Sequence, residues 1–250
     1  MKHRKLLLTG CCLGVACVLL AAALFLWHGR WQPLNDGSVT VCSTSNSSSE
    51  SQSAASSTAE AQYMEEQVGW LTVEGTEIDN AVMQAGDNDY YLRRDEKGNK
   101  NYHGSIYADY ACRMDSAVKI SRNLIFYGHT FTDEEYIGGF EDLHKYRVFE
   151  FGQENPYIYV SLAAEKLTYQ IFSVWVCNAN ADTDCIQADP DDAAFQQILD
   201  KAVAGCAFDY GVDVTTDDHI LTLSTCTADP NSRLLVVAKL IDGGGADVKS

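Results

Sequence analysis

Short hydrophobic runs, separated by turn-forming residues, dominate the chain from residue 61 onward. The runs are rich in β-branched and aromatic residues, a composition that favours strands. Seven strands are predicted, at residues 70–73, 104–107, 124–127, 157–160, 167–176, 220–225 and 234–240. Many short strands of this kind indicate a mostly β domain, either a sandwich or a barrel.

Helical periodicity is confined to three segments. The clearest begins at 189–192, where acidic residues suit the N-terminal end of the helix dipole, and ends at Gly205. It predicts a helix-bearing insertion before the strand at 220–225. A leading helix is predicted near 62–68 and a short helix at 140–146, so helices are few in this domain.

The front of the chain has a different pattern. Residues 1–5 are basic, and residues 6–27 are uncharged and apolar. A stretch of this length can cross a bilayer as a helix. Because the positive charge precedes it, the N-terminus is predicted in the cytoplasm and the rest of the chain outside. The sequence therefore predicts a single-pass protein of the cell membrane, anchored by a signal-anchor helix.

Two other interpretations of the front segment are less favoured. The alanines at 21–23 could form a signal-peptidase site, but the apolar run continues to Trp27, which is long for a secretory signal. Residues 8–11 look like a lipoprotein cleavage box, but too few apolar residues precede them to form the hydrophobic segment that such a signal needs.

Three further segments follow from composition. Residues 43–60 are a serine-rich tract without apolar periodicity, which cannot bury enough surface to fold. Residues 28–60 are therefore predicted to be a flexible linker. The globular domain is assigned to 61–241, long enough for one well-buried core. Residues 242–250 are predicted to be a flexible tail.

Net charge excludes one class of partner. The chain of 250 residues has a formal net charge of −17 and a sequence pI near 4.5, and almost all of this acidity follows the apolar stretch. A phosphate backbone is repelled by such a surface, so nucleic-acid binding is not expected.

The globular domain contains an odd number of cysteines, so at least one thiol is unpaired and is either buried or reactive. The five are Cys112, Cys177, Cys185, Cys206 and Cys226. Cys177 with Cys185, or Cys185 with Cys206, could form a disulfide, and the sequence does not choose between them.

Cys226 directly follows the strand predicted at 220–225, and Arg233 opens the next strand after six turn-forming residues. A hairpin of this form sets the two residues opposite one another on strands about 4.8 Å apart. A neighbouring cation favours the thiolate, which is the nucleophilic form of cysteine. A structural cysteine beside a solvated arginine is equally compatible with the hairpin alone.

A cysteine nucleophile generally needs a base, and the chain has six histidines. His129 follows the apolar strand at 124–127, with Gly128 allowing a sharp turn between them. It meets Cys226 only if both strands end at the same sheet edge. The other histidines lie at the membrane segment, in a polar turn, on a helix surface or at the far end of the cysteine strand: His3, His28, His103, His144 and His219.

Together these residues resemble the sortases, and within them class B. The leading helix and the insertion before the cysteine strand point to that class, and the resemblance covers residues 61–241. One departure is Thr130 after the histidine, where class B members commonly carry asparagine. The motifs that carry the resemblance are Tyr127-Gly128-His129, Thr222-Leu223-Ser224-Thr225-Cys226, Arg233, Val68-Gly69-Trp70, Tyr90-Tyr91-Leu92 and Gly104-Ser105-Ile106-Tyr107.

The resemblance implies a closed eight-stranded β-barrel and a cysteine transpeptidase outside the membrane of a Gram-positive bacterium. Cys226 would attack the scissile threonine carbonyl in the C-terminal sorting signal of a secreted protein and form a thioester. His129 would protonate the leaving amine and then serve as base for the incoming amine. Arg233 would hold the substrate and stabilise the oxyanion. Ser224 and Thr225 are assigned to substrate binding, and the four other cysteines are interpreted as structural.

The acyl group would pass to a cell-wall peptide amine or to a pilin lysine. Because a thioester keeps the acyl group activated, no cofactor and no metal is expected. A cell-wall cysteine protease or hydrolase is an alternative, although papain-like and related wall hydrolases usually place the cysteine before the histidine. A catalytically silent sortase-like scaffold is the other alternative.

Overall fold

The structure is a computed structural model that describes residues 67–131, 139–163 and 165–243. All of them belong to one compact unit, Ser49–Ser250. The predicted basic start, apolar span and linker, residues 1–60, lie outside the described residues, as does the predicted tail from residue 244 onward.

The helices that the structure describes contradict the predicted location in the cell membrane. None of the helices within those ranges is long and apolar enough to cross a membrane. The segment predicted to span the bilayer, residues 6–27, is outside the described residues.

Strands close into a barrel, which decides between the two β architectures left open by the sequence. In the described ranges the barrel order is β1–β2–β3–β4–β7–β8–β6–β5. The strands are β1 (Gln67–Val73), β2 (Asp79–Met83), β3 (Tyr107–Ala108), β4 (Asn123–Tyr127), β5 (Tyr157–Ser161), β6 (Lys166–Asn178), β7 (Ile220–Cys226) and β8 (Ser232–Asp242). The mostly β fold and the eight-stranded barrel are therefore confirmed.

Strands β4 and β7 are parallel neighbours in the barrel, and they carry the segments that lead to the predicted histidine and cysteine. Their pairing ends with Tyr127 opposite Ser224. Leu124, Phe126 and Leu223 are fully buried, and each such side chain contributes about 1.5–3 kcal/mol relative to an exposed one. Strands buried on both faces appear in sequence as continuous apolar runs. Since parallel neighbours end on the same side, β4 and β7 lead their following residues to one edge of the barrel.

Helices accompany the barrel without interrupting it. The insertion helix α2 begins after Asp191, whose carboxylate accepts from the Ala194 N–H at 2.8 Å. Phe195 and Leu199 of α2 are buried against Trp175 of β6. The helices in the described ranges are α1 (Phe149–Glu154), α2 (Asp192–Gly205) and the 3₁₀ helices Tyr90–Arg93, Phe140–Arg147 and Thr183–Cys185.

Some predicted elements differ from the structure. The leading helix near 62–68 is wrong at its last two positions, because Gln67 and Val68 begin β1, and its remainder lies outside the described residues. The strand predicted at 104–107 is reduced to Tyr107–Ala108, since Gly104 has a φ of +64° and cannot continue a strand. β2 and α1 were not predicted.

The five cysteines in the described residues are all unpaired thiols, so neither alternative disulfide is formed. Three of them are buried, and two are partly exposed. The buried ones are Cys112, Cys177 and Cys185, and the partly exposed ones are Cys206 and Cys226.

Candidate active site

The ends of β4 and β7 bring the predicted histidine and cysteine to the same edge of the barrel. β4 ends at Tyr127, with His129 following it, and β7 ends at Cys226. Backbone pairing continues past the strand end, because the Gly128 N–H donates to the carbonyl oxygen of Ser224 at 3.3 Å. The two strands therefore end at the same sheet edge, which is the condition under which His129 and Cys226 can meet.

Two glycines allow close approaches around the histidine. A Cβ at Gly128 would lie 2.6 Å from the ring of Phe140. A Cβ at Gly104 would lie 2.7 Å from the carbonyl oxygen of Leu92, and its φ of +64° is in the left-handed region that favours glycine. A larger side chain at either position would displace the groups that surround His129.

The β7–β8 hairpin sets Arg233 directly opposite Cys226. Nη1 of Arg233 donates to the carbonyl oxygens of Pro230 and Ser232, both at 3.0 Å. These bonds hold the cation at the mouth of the hairpin loop. On its other side Arg233 pairs with Cys177 of β6, a position that the sequence did not connect with the site.

A cavity of about 520 Å³ opens at this edge. Its volume is in the range of about 300–1,000 Å³ that is typical of ligand pockets. The structure thus brings together the five residues predicted for the site, while their individual roles remain predictions. The five are His129, Ser224, Thr225, Cys226 and Arg233.

One ring nitrogen of His129 is fixed by a backbone contact. Nε2 lies 2.9 Å from the carbonyl oxygen of Leu92, which can only accept, so Nε2 carries the proton. Nδ1 is then the nitrogen that can exchange a proton in the neutral ring. Burial lowers the pKa of His129 below its usual 6.5; the Leu92 bond opposes this shift, and the nearby cation Arg93 and His103 add to it. The imidazole is therefore neutral at pH 7.

Hydroxyl groups join the two strand ends. The Thr130 hydroxyl lies 2.8 Å from that of Thr225 and 3.3 Å from the carbonyl oxygen of Cys226. The Thr225 hydroxyl donates to the carbonyl oxygen of Gly128 at 2.8 Å. Because Thr130 follows His129 and Thr225 precedes Cys226, these bonds fix the backbone spacing between the histidine and the cysteine.

His144 extends this network, although the sequence placed it on a helix surface. Its Nε2 lies 3.1 Å from the Cys226 carbonyl oxygen and 3.4 Å from the Thr130 hydroxyl. A carbonyl only accepts, so Nε2 of His144 is the donor. That surface placement is wrong because His144, within the 3₁₀ helix Phe140–Arg147, is half-buried and contacts the last residue of β7.

The sequence and the fold both match known proteins. The sequence profile of the Sortase domain family matches residues 71–241. The chain belongs to the sortase family. Sortase B of Listeria monocytogenes serovar 1/2a is 32% identical over 178 residues, covering 70% of this chain and 69% of that protein. Sortase B of Staphylococcus aureus is 30% identical over 184 residues, covering 70% of each.

Solved sortase B structures share the barrel of this sortase. The X-ray structure of Clostridium perfringens Sortase B matches with a TM-score of 0.65 at 29% identity, covering 74% of this chain and 100% of that chain. The Staphylococcus aureus sortase B-substrate complex matches with a TM-score of 0.64 at 28% identity, covering 74% and 83%. The resemblance to sortases is thereby confirmed, and membership implies a cysteine transpeptidase.

A polar group that the sequence analysis missed lines the same cavity of the sortase. Asp109 is only 7% exposed and accepts from the Asn88 amide, the Tyr127 hydroxyl and the Ala111 N–H, at 2.8, 2.8 and 2.9 Å. Burial and the Asp109 carboxylate raise the pKa of Tyr127, so its hydroxyl stays protonated and donates. Tyr127 belongs to the quoted histidine motif, whereas nothing local in the sequence marks Asp109.

Within the residues that the structure describes, no group of three or more His, Cys, Asp or Glu side chains is placed to hold a metal ion. Polar side chains of the cavity, such as Asp109 and Thr225, hydrogen-bond to protein groups.

Proposed function

We propose that this sortase cleaves the C-terminal sorting signal of secreted proteins and transfers the acyl group, through a thioester on Cys226, to an amine. The acceptor is a cell-wall peptide amine or a pilin lysine. The observation that carries the proposal is that Cys226, His129 and Arg233 all line the same cavity. They supply the nucleophile, the proton carrier and the cation that acyl transfer requires.

In the first step Sγ of Cys226 attacks the carbonyl carbon of the scissile threonine, and the thiol proton passes to His129. The C–N bond then breaks, the imidazolium gives its proton to the leaving amine, and the C–S bond of the thioester remains. Nδ1 is assigned to this proton transfer because Nε2 donates to Leu92. The lowered pKa of His129, caused mainly by burial, supports a neutral ring as the starting base.

Arg233 is proposed to stabilise the oxyanion that forms at the attacked carbonyl. Its position opposite Cys226 and its bonds to Pro230 and Ser232 hold the cation in place before reaction. A guanidinium has five N–H donors, so two carbonyl contacts do not use all of them. Fixed donors of this kind stabilise developing charge without reorganisation.

Ser224 and Thr225 are proposed to contact the substrate beside the cysteine. Both line the cavity. Because the Thr225 hydroxyl already donates to the carbonyl oxygen of Gly128, its substrate contact is assigned to the methyl group and the backbone.

In the second step an amine attacks the thioester carbonyl and gives a proton to Nδ1 of His129. The C–S bond breaks, an amide forms, and the Cys226 thiolate takes the proton back, so the enzyme is restored. The solved relatives support a peptide acceptor: one sortase B structure, which matches with a TM-score of 0.64 at 29% identity, is complexed with triglycine.

The test uses the full-length protein and a peptide copied from the C-terminal signal of a secreted protein encoded near it. Triglycine is the amine, and products are identified by mass spectrometry. An amide that joins the acyl fragment to triglycine is expected from the wild-type protein. The control variant Cys206→Ala should form the same amide, because the half-buried thiol of Cys206 does not line the cavity. Cys226→Ala should give none. Acid as the only product would indicate a hydrolase, and no reaction by folded wild-type protein would indicate a scaffold.

A further inference from the structure

The 3₁₀ helix Phe140–Arg147 contacts both of the chain segments that carry the proposed reaction. Its first N–H, that of Phe140, donates to the carbonyl oxygen of His129 at 3.0 Å. The side chain of His144 donates from Nε2 to the carbonyl oxygen of Cys226 at 3.1 Å. One short helix therefore binds the backbone of the proposed base and the backbone of the proposed nucleophile.

Packing and hydrogen bonds hold this helix against the barrel. The side chains of Phe140, Leu143 and Tyr146 are fully buried in the main hydrophobic core. The Tyr146 hydroxyl donates to the carbonyl oxygens of Glu74 and Asn155, at 2.6 and 3.1 Å. Because close-packed side chains leave little room for movement, the helix is a firm support for whatever it binds.

The carbonyl oxygen of Cys226 lies outside the hydrogen-bond ladder on both sides. Toward β4, the parallel pairing ends with Tyr127 opposite Ser224, two residues before the cysteine. Toward β8, antiparallel pairs alternate between bonded and unbonded. The Leu240 N–H donates to the carbonyl oxygen of His219, so the pair that Cys226 forms an odd number of positions later is unbonded.

Side chains supply the partners that the ladder does not. Among the described residues, the Thr130 hydroxyl lies 3.3 Å from the Cys226 carbonyl oxygen, and Nε2 of His144 lies 3.1 Å from it. The ring makes the shorter contact and belongs to the anchored helix. Without His144, this carbonyl would keep one long contact, to a residue in the chain that leaves β4.

The backbone of Cys226 also determines where its sulfur lies. Sγ is attached through Cβ to the residue whose carbonyl the ring binds, and Cys226 is the last residue of β7. Release of the carbonyl would allow Sγ to shift relative to His129. A displacement of about 1 Å between reacting groups can lower a rate about 100-fold.

We propose that His144 is a positioning residue: its ring, carried by the helix Phe140–Arg147, fixes the Cys226 backbone and thereby the place of Sγ beside His129. This inference, which rests on the proposed function, adds a residue that touches neither the substrate nor the reacting atoms. Since Nε2 only donates to a carbonyl, His144 keeps its proton throughout the reaction.

The kinetic test compares His144→Leu with His144→Gln in the full-length protein. Leucine cannot donate a hydrogen bond, whereas the glutamine amide carries N–H groups on a side chain of similar reach. Acylation by the sorting-signal peptide is followed by mass. His144→Leu should lower the maximal rate about 10- to 100-fold and change the half-saturating peptide concentration by less than about twofold. His144→Gln should retain at least about a third of the wild-type rate.

His219→Leu is the matched control. His219 is also half-buried, and its Nδ1 lies 3.2 Å from the carbonyl oxygen of Ser121, just before the other end of β7. This variant should lose thermal stability as His144→Leu does and keep the wild-type acylation rate. An equal fall in rate would show that any weakening of β7 slows the reaction, which would overturn the positioning role. A loss in His144→Gln as large as in His144→Leu would assign His144 to proton transfer, and would also overturn it.

NMR of protein labelled in its histidine rings and cysteine carbonyls tests the contact without acyl transfer. At a pH where imidazoles are neutral, His144 should carry its proton on Nε2. The Cys226 carbonyl resonance, identified by its absence in Cys226→Ala, should move upfield in His144→Leu and stay in place in His219→Leu. A proton on Nδ1, or an unmoved resonance in His144→Leu, would overturn the inference even if acylation proceeds. No acyl-enzyme from folded wild-type protein would contradict the proposed function, while the spectra would still decide whether His144 holds Cys226.

Discussion

Cys112 and Cys226 both lie close to β4, yet their surroundings are opposite. Cys112 sits in the hydrophobic core, only 5% exposed, where Sγ accepts from the Ile125 N–H at 3.3 Å and lies 3.7 Å from the Asn123 carbonyl oxygen. Burial raises the pKa of Cys112 to about 12. Cys226 is half-buried at the barrel edge, in a cavity and opposite Arg233.

The difference shows that position in the barrel, more than residue type, decides what a thiol can do. A core thiol stays protonated at neutral pH and is closed to substrate, so its role is packing. An edge thiol can meet both a substrate and a base. The same sheet that buries Cys112 holds Cys226 and His129 at a common rim.

Replacing each of the two cysteines by alanine should give the largest effects that distinguish the core thiol from the edge thiol. Cys226→Ala should lower amide formation by at least about 10³-fold, because the covalent step is lost, and should leave thermal unfolding nearly unchanged. Cys112→Ala should retain transfer but lower the free energy of unfolding by about 1–3 kcal/mol, since a buried sulfur and its contacts are removed. Rates by mass spectrometry and denaturant unfolding check both. Equal losses of activity in the two variants would break the contrast.

Thr130→Val tests whether catalysis at the barrel edge depends on the hydrogen bonds of the Thr130 hydroxyl group. Valine keeps the shape of threonine and loses the contacts to Thr225 and Cys226. We expect kcat to fall about 10- to 100-fold with a smaller change in KM, because small displacements of reacting groups are costly.

Thr130→Ser is the control for that substitution, since it retains the hydroxyl and should preserve most of the rate. A matching loss in the serine variant would indicate that the methyl group, and not the hydrogen bond, supports the site.

The pH dependence gives a smaller and finer test of the histidine. Burial, aided by Arg93, lowers the pKa of His129 below 6.5. Because a neutral ring is needed to accept the thiol proton, kcat/KM should fall as the pH drops through this lowered pKa, and the acid limb should lie below pH 6.5. Arg93→Gln removes the cation that disfavours protonation, so the limb should move to higher pH. An unchanged or lower midpoint would contradict this assignment of the acid limb to His129.

Local pattern in the sequence located the strands that carry the site. The strand predicted at 220–225 agrees with β7 (Ile220–Cys226) to within one residue, because this segment is rich in β-branched and apolar residues. The spacing between Cys226 and Arg233 fits a hairpin, and the structure pairs the two residues.

The remaining features depend on contacts between residues far apart in the chain. Leu92 lies 37 positions before His129, and His144 lies 82 positions before Cys226. No local pattern encodes such approaches, which is why the carbonyl partner of His129 and the contact between His144 and Cys226 were not foreseen. β2 was missed for a different reason. It begins with the exposed, polar Asp79, and its five residues do not alternate regularly between apolar and polar side chains.

The most direct measurement is the location of the acyl group during turnover. Full-length protein reacting with the sorting-signal peptide is quenched in acid, digested and mapped by mass spectrometry. One adduct is expected, on the peptide that contains Cys226, and hydroxylamine should remove it as it removes a thioester. An adduct on any other cysteine, or amide formation that persists in Cys226→Ala, would contradict the assignment of the nucleophile to Cys226.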